Sequence, residues 1–76
     1  MKTWKEQFVI CHENTVSDLG AVTKIVVAVK LPTGATELII NTEMVESKVE
    51  YYMNAYDDDM RLKTNPQIQI ISWLFA

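Results

Sequence analysis

Residues 23–31 alternate strictly, with Ile25, Val27, Val29 and Leu31 on one side and Lys24, Val26, Ala28 and Lys30 on the other. Period two in a β-branched stretch predicts a strand. Leu31-Pro32-Thr33-Gly34 then places proline where a type I turn presets φ and glycine at the fourth position, and residues 36–41 resume an extended pattern. The two runs predict a β-hairpin. Upstream, Phe8, Val9, Ile10 and Cys11 lie between polar flanks, which predicts a first strand over residues 6–12, followed by a connection through residues 14–20.

Downstream of the hairpin the period changes. Val45, Val49, Tyr52, Met53, Tyr56 and Met60 recur at spacings of three and four, with Glu43, Glu46, Glu50, Asn54, Asp57 and Arg61 mostly opposite them. That is an amphipathic helix starting near residue 43, capped by Asn41 or Thr42 and carrying acidic side chains on its first turn, where the helix dipole favours them. Asn65-Pro66 stops it, and residues 67–75 open as a polar and apolar alternation that predicts a closing strand. The order is β-β-β-α-β, an α+β fold with one helix on one face of a small antiparallel sheet. One helix leaves the opposite sheet face to solvent or to a partner.

The closing strand has a further peculiarity. Ile68, Ile70 and Leu74 fall on one side and Ile71, Trp73 and Phe75 on the other, so both faces need cover. The expectation is self-association through Ile71, Trp73 and Phe75, which makes the chain a homo-oligomer.

Seventy-six residues, 49% hydrophobic and 22% charged, fit one domain over residues 1–76 with a core too small to leave a wide stability margin. The single Cys11 allows no internal disulfide, and Cys11 with the single His12 cannot assemble a four-ligand zinc site. No stretch approaches the ~20 apolar residues of a membrane span, and the amino-terminal residues do not read as a signal peptide, so the expected compartment is the cytoplasm. A net charge of −3 has the wrong sign for direct nucleic-acid binding.

Chemistry is sparse. Neighbouring residues of a strand point to opposite faces, so Cys11 and His12 cannot pair for nucleophilic catalysis; they read as a small core residue and a strand-end polar group. Asp57-Asp58-Asp59 lacks the ligand spacing of a calcium loop, and on a helix its carboxylates would diverge by about 100° each. No enzyme, cofactor or metal is expected. Three negative charges at a helix C-terminus oppose the dipole, so either the helix ends near Asp57 or the run serves a partner. Tyr51, displaced from the apolar stripe held by Tyr52 and Tyr56, lies among carboxylates at the solvent boundary, where an aromatic can anchor a partner that charges steer.

In size, acidity and layout, a hairpin over residues 24–41 leading into an acid-edged helix over residues 43–59, the chain resembles the small host-directed proteins of phages and mobile elements, among them anti-CRISPR and other anti-defence inhibitors. The resemblance implies a stoichiometric inhibitor whose carboxylates stand in for phosphates on a basic partner protein. The partner-binding residues are then Glu46, Glu50, Tyr51, Asp57, Asp58 and Asp59. A self-associating assembly subunit, or an oligomer with a small-molecule pocket at its interface, is the alternative.

Overall fold

The computed structural model describes residues 3–76. It is α+β, with the element order α1 (Trp4–Leu19), β1 (Ile25–Lys30), β2 (Thr36–Asn41), α2 (Val45–Ala55), β3 (Arg61–Leu62) and β4 (Asn65–Phe75). The strands form one sheet in the order β2-β1-β4-β3, with every neighbouring pair antiparallel. The Cα atoms span only 17 Å in the shortest direction, the depth of one helical layer on one sheet.

The hairpin forms where its pattern places it. Gly34, at φ 90°, donates to the Leu31 carbonyl at 2.9 Å, and the Leu31 N–H returns to Ala35 at 2.8 Å. Ile25, Val27 and Val29 are buried, as the alternation requires.

The predicted first strand is instead a helix. Thr3 is extended (φ −70°, ψ 163°), and its side chain accepts a hydrogen bond from the Glu6 N–H at 3.2 Å. Gly20 closes the other end in the left-handed region (φ 84°), its N–H bonded to Val16 at 2.8 Å. Thr3 with Glu6 is a capping-box sequence, and a glycine at the far end completes the pair of boundary signals. Within α1 the run Phe8-Val9-Ile10-Cys11 is shared around the helix. Phe8 is fully buried, Val9 and Ile10 are half-buried, and Cys11 is exposed. Four consecutive apolar residues fit a helix as well as a strand, and the caps decide.

The second helix begins and ends differently from the expectation. Neither Asn41 nor Thr42 caps it: the N-cap is Met44, in the left-handed region at φ 52° with no side-chain cap bond. Asn41 instead ends β2 and donates from Nδ2 to the Tyr52 hydroxyl at 3.2 Å. The helix stops at Ala55, so Asp57-Asp58-Asp59 lies beyond it in a tight turn. There the Asp57 N–H donates to Arg61 at 2.8 Å, Met60 at φ 66° donates to Asp57 at 3.1 Å, and Asp57 Oδ1 accepts from the Asp59 and Arg61 N–H groups at 2.9 and 3.0 Å. Aspartate favours such a turn because its carboxylate satisfies backbone donors that a helix would have used.

The closing strand resolves its two apolar faces by a β-bulge. Ala28 pairs with Ser72 but Val29 pairs with Ile70, so Ile71 is the extra residue. One inserted residue shifts the side-chain phase. Ile70, Trp73 and Phe75 therefore share the inner face, and Ile71 is left 51% exposed. The expected grouping of Ile71, Trp73 and Phe75 on one outward face is thus corrected. Phe75 is buried, and Trp73 packs with the core.

Aromatic rings hold the two layers together. Phe8 lies 5.0 Å from Phe75, 5.3 Å from Trp73, 5.9 Å from Trp4 and 6.1 Å from Tyr52, measured between ring centroids. One side chain of α1 therefore touches its own helix, α2 and β4, in edge-on and tilted geometries that each add a fraction of a kcal/mol to about 1.5 kcal/mol beyond area burial.

Candidate functional site

Both helices occupy one face of the sheet, which leaves the other open. The register fixes what this open face presents. Ile40, Val26 and Leu74 stand abreast across three strands, Leu38, Ala28 and Ser72 form the next row, and Thr36, Lys30 and Gln69 form the third, with Arg61 beside Gln69. Leu38 is 60% exposed and Ile40 and Leu74 are each 59% exposed, and Ile71 of the bulge, 51% exposed, falls between the second and third rows. Large apolar side chains clustered on three adjacent strands are unusual for a surface that stays in water. Ala28 and Ser72 are small, so the middle row is a shallow trough beside Leu38.

The third row changes character. Lys30 and Arg61 are its only charged residues, and no acidic residue holds an outward register position on this face. With Thr33, Gln67 and Gln69 they line a depression of ≈ 520 Å³ beside the β1–β2 turn. Arg61 Nη1 donates to the Pro66 carbonyl at 3.1 Å, and among the described residues neither cation has an ion-pair partner.

The residues expected to bind a partner are divided by the structure. Glu46, Glu50 and Tyr51 are exposed on α2, and Tyr51 carries Lys48 Nζ at 5.4 Å from its ring centroid. Asp58 and Asp59 are exposed in the turn, and Lys5 Nζ reaches Asp58 at 3.9 Å. Asp57 is committed to the turn through its own carboxylate. The acidic run and the α2 carboxylates are therefore separate local features rather than one helical stripe.

Cys11 and His12 are neighbours on α1, where consecutive side chains diverge by about 100°. Cys11 is exposed, so the core placement expected for it is corrected by the helix phase. His12 lies edge-on to Phe75 at 5.6 Å, and its Nε2 is buried with no hydrogen-bond partner among the described residues. Tyr52 and Tyr56, both in the core, have pKa values raised above 10.0, foremost by burial. None of these groups converges with another into a nucleophile and base.

No helix among the described residues is long and apolar enough to cross a membrane. The chain matches no protein-family model, no curated protein and no solved structure.

Leu38, Ile40 and Leu74 were not among the candidates read from the sequence. Their signal was present in Leu38-Ile39-Ile40, three consecutive apolar residues that put apolar surface on both sides of β2.

Proposed function

We propose that this chain is a non-catalytic protein-binding module that engages its partner through the open sheet face. One observation carries the reading: Leu38, Ile40 and Leu74 are each more than half exposed on the face that neither helix covers. An apolar patch on a core this small works against solubility unless it is used. A stoichiometric inhibitor and an assembly subunit both fit such a module.

The acidic surface of Glu46, Glu50, Tyr51, Asp58 and Asp59 is the second reading, favoured by the 51% exposure of Tyr51 among carboxylates. Two variants separate the surfaces. L38T/I40T/L74T keeps β propensity while removing the apolar patch, and E46Q/E50Q/D58N/D59N removes charge from the helical side. Partner capture from the native host, quantified against wild type, is expected to fail for the first variant and persist for the second. The opposite pattern would move the site to the acidic surface.

A further inference from the structure

We infer that the open face receives an amphipathic helix of a partner protein, bearing apolar side chains on one turn and the next and carboxylates about two turns from the first. This rests on the open-face reading and adds the partner's chemistry to it. The argument is one of spacing and charge. Rows on the face are two residues apart along each strand, about 6.6 Å, so Val26 and Lys30 lie about 13 Å apart. A helix rises 1.5 Å per residue, and about nine residues cover that distance. Apolar side chains at i and i+4 then meet the row of Ile40, Val26 and Leu74 and the trough over Ala28 and Ser72, while a side chain on the same helix face two turns on, at i+7 or i+8, comes within reach of Lys30 and Arg61.

The cations select what arrives there. Arg61 retains guanidinium N–H groups beyond the one bonded to Pro66, Lys30 has no ion-pair partner among the described residues, and Gln67, Gln69 and Thr33 add uncharged polar groups around them. A carboxylate fits this end and a partner lysine does not. The acidic residues of the chain itself are absent from the outward rows, so an acidic helix meets no like charge on the face it covers.

The probe is a synthetic amphipathic helical peptide of about 18 residues, with leucines at i and i+4 and glutamates at i+7 and i+8, titrated into 15N-labelled full-length protein. Saturable shifts at the amides of Val26, Ala28, Lys30, Leu38, Ile40 and Leu74 are expected, with Kd below about 1 mM. Replacing the peptide's glutamates with lysine, or the protein's charges in Lys30→Glu and in K30E/R61E, is expected to weaken binding about tenfold, with the loss shrinking at high salt. Lys30→Glu alone tests the charge without touching the Arg61–Pro66 contact. Equal affinity for the glutamate and lysine peptides, with shifts still on this face, would overturn the acidic-helix assignment and leave the open-face reading standing. No saturable binding together with a concentration-dependent dimer that L38T/I40T/L74T abolishes would assign the face to a second copy of the chain and overturn the inference. No binding, no dimer and unchanged host capture by L38T/I40T/L74T would overturn both readings.

Discussion

The Trp4 indole Nε1 donates a hydrogen bond of 2.7 Å to the backbone carbonyl of Asp57, joining the first turn of α1 to the turn that follows α2. The bond ties the helical layer to the end of the sheet carrying β3, and the same ring lies against Phe8 and Trp73 at 5.9 and 6.2 Å. Trp4→Phe keeps an aromatic in place but removes one of the two donors to the Asp57 carbonyl, which retains the Met60 N–H, at an expected cost of about 1–2 kcal/mol including the smaller ring. The adjacent Lys5–Asp58 contact, at 3.9 Å with Asp58 89% exposed, contributes little, so Lys5→Ala should stay within about 0.5 kcal/mol of wild type. Urea unfolding of the two variants measures both. Equal midpoints for Trp4→Phe and wild type would remove the indole bond from the account of stability.

The three aspartates should respond unequally. As a run at a helix end they would all be unfavourable, and neutralising any of them would help. In the structure Asp57 Oδ1 accepts two backbone N–H bonds, while among the described residues Asp58 and Asp59 make no side-chain bond of that kind. Asp57→Ala should therefore destabilise by about 1–2 kcal/mol, and Asp58→Asn and Asp59→Asn should be neutral or stabilising by a few tenths. Thermal melts of the three single variants decide this, and uniform behaviour would contradict the turn.

Ile71 is expected to be dispensable both as a side chain and as the inserted residue of the bulge. Deleting it would join Ile70 directly to Ser72, keep Ser72 opposite Ala28 and leave Trp73 and Phe75 inside. Phe8 would keep both ring neighbours on β4. The deletion should retain the near-UV signal of the packed aromatics, and Ile71→Lys, on a side chain 51% exposed, should leave stability within about 0.5 kcal/mol. Loss of the near-UV signal in the deletion variant would show that the bend the bulge puts into β4 is needed to pack the aromatics.

What was legible in the sequence follows from how local each signal is. The hairpin of Val27 and Ile39, the burial of Tyr52 and Tyr56 and the α+β class rest on periodicity within a few residues, and these hold. The α1 helix was hidden because Phe8-Val9-Ile10-Cys11 satisfies two periods, and its deciding signals, Thr3 with Glu6 and Gly20, stand outside that run. The bulge at Ile71 was hidden for a different reason. A phase shift in a strand is fixed by its partner's register, here Ala28 and Val29, and no residue of β4 announces it. The open face was half legible: its existence follows from a sheet covered on one side, but its apolar character needed Val26, Leu38, Ile40 and Leu74 placed on one face of adjacent strands, which only strand order and register supply.

The last expectation concerns alkaline pH. Tyr52 and Tyr56 are 2% and 3% exposed, and burial raises both phenol pKa values above 10.0. For Tyr52 the Asn41 amide donated to its oxygen partly offsets that rise by favouring the phenolate, while Tyr51 adds to it; for Tyr56 both Tyr51 and Tyr52 add to it. The folded chain then holds protons that the unfolded chain releases near pH 10. Their contribution is fully present below the unfolded pKa, and stability falls as pH rises from about 10 toward the folded values, with a limiting slope of about 1.4 kcal/mol per pH unit for each tyrosine. Tyr52→Phe and Tyr56→Phe should each make the alkaline decline shallower, and Y52F/Y56F should flatten most of what the phenols contribute. Tyr52→Phe also leaves Asn41 Nδ2 without its acceptor, so it should lower stability at neutral pH by about 1 kcal/mol, a loss the alkaline comparison must subtract. Denaturant unfolding of wild type and the three variants from neutral pH to about 11.5 gives both quantities. Parallel pH profiles for wild type and the double variant would show that the two phenols titrate alike in the folded and unfolded chains.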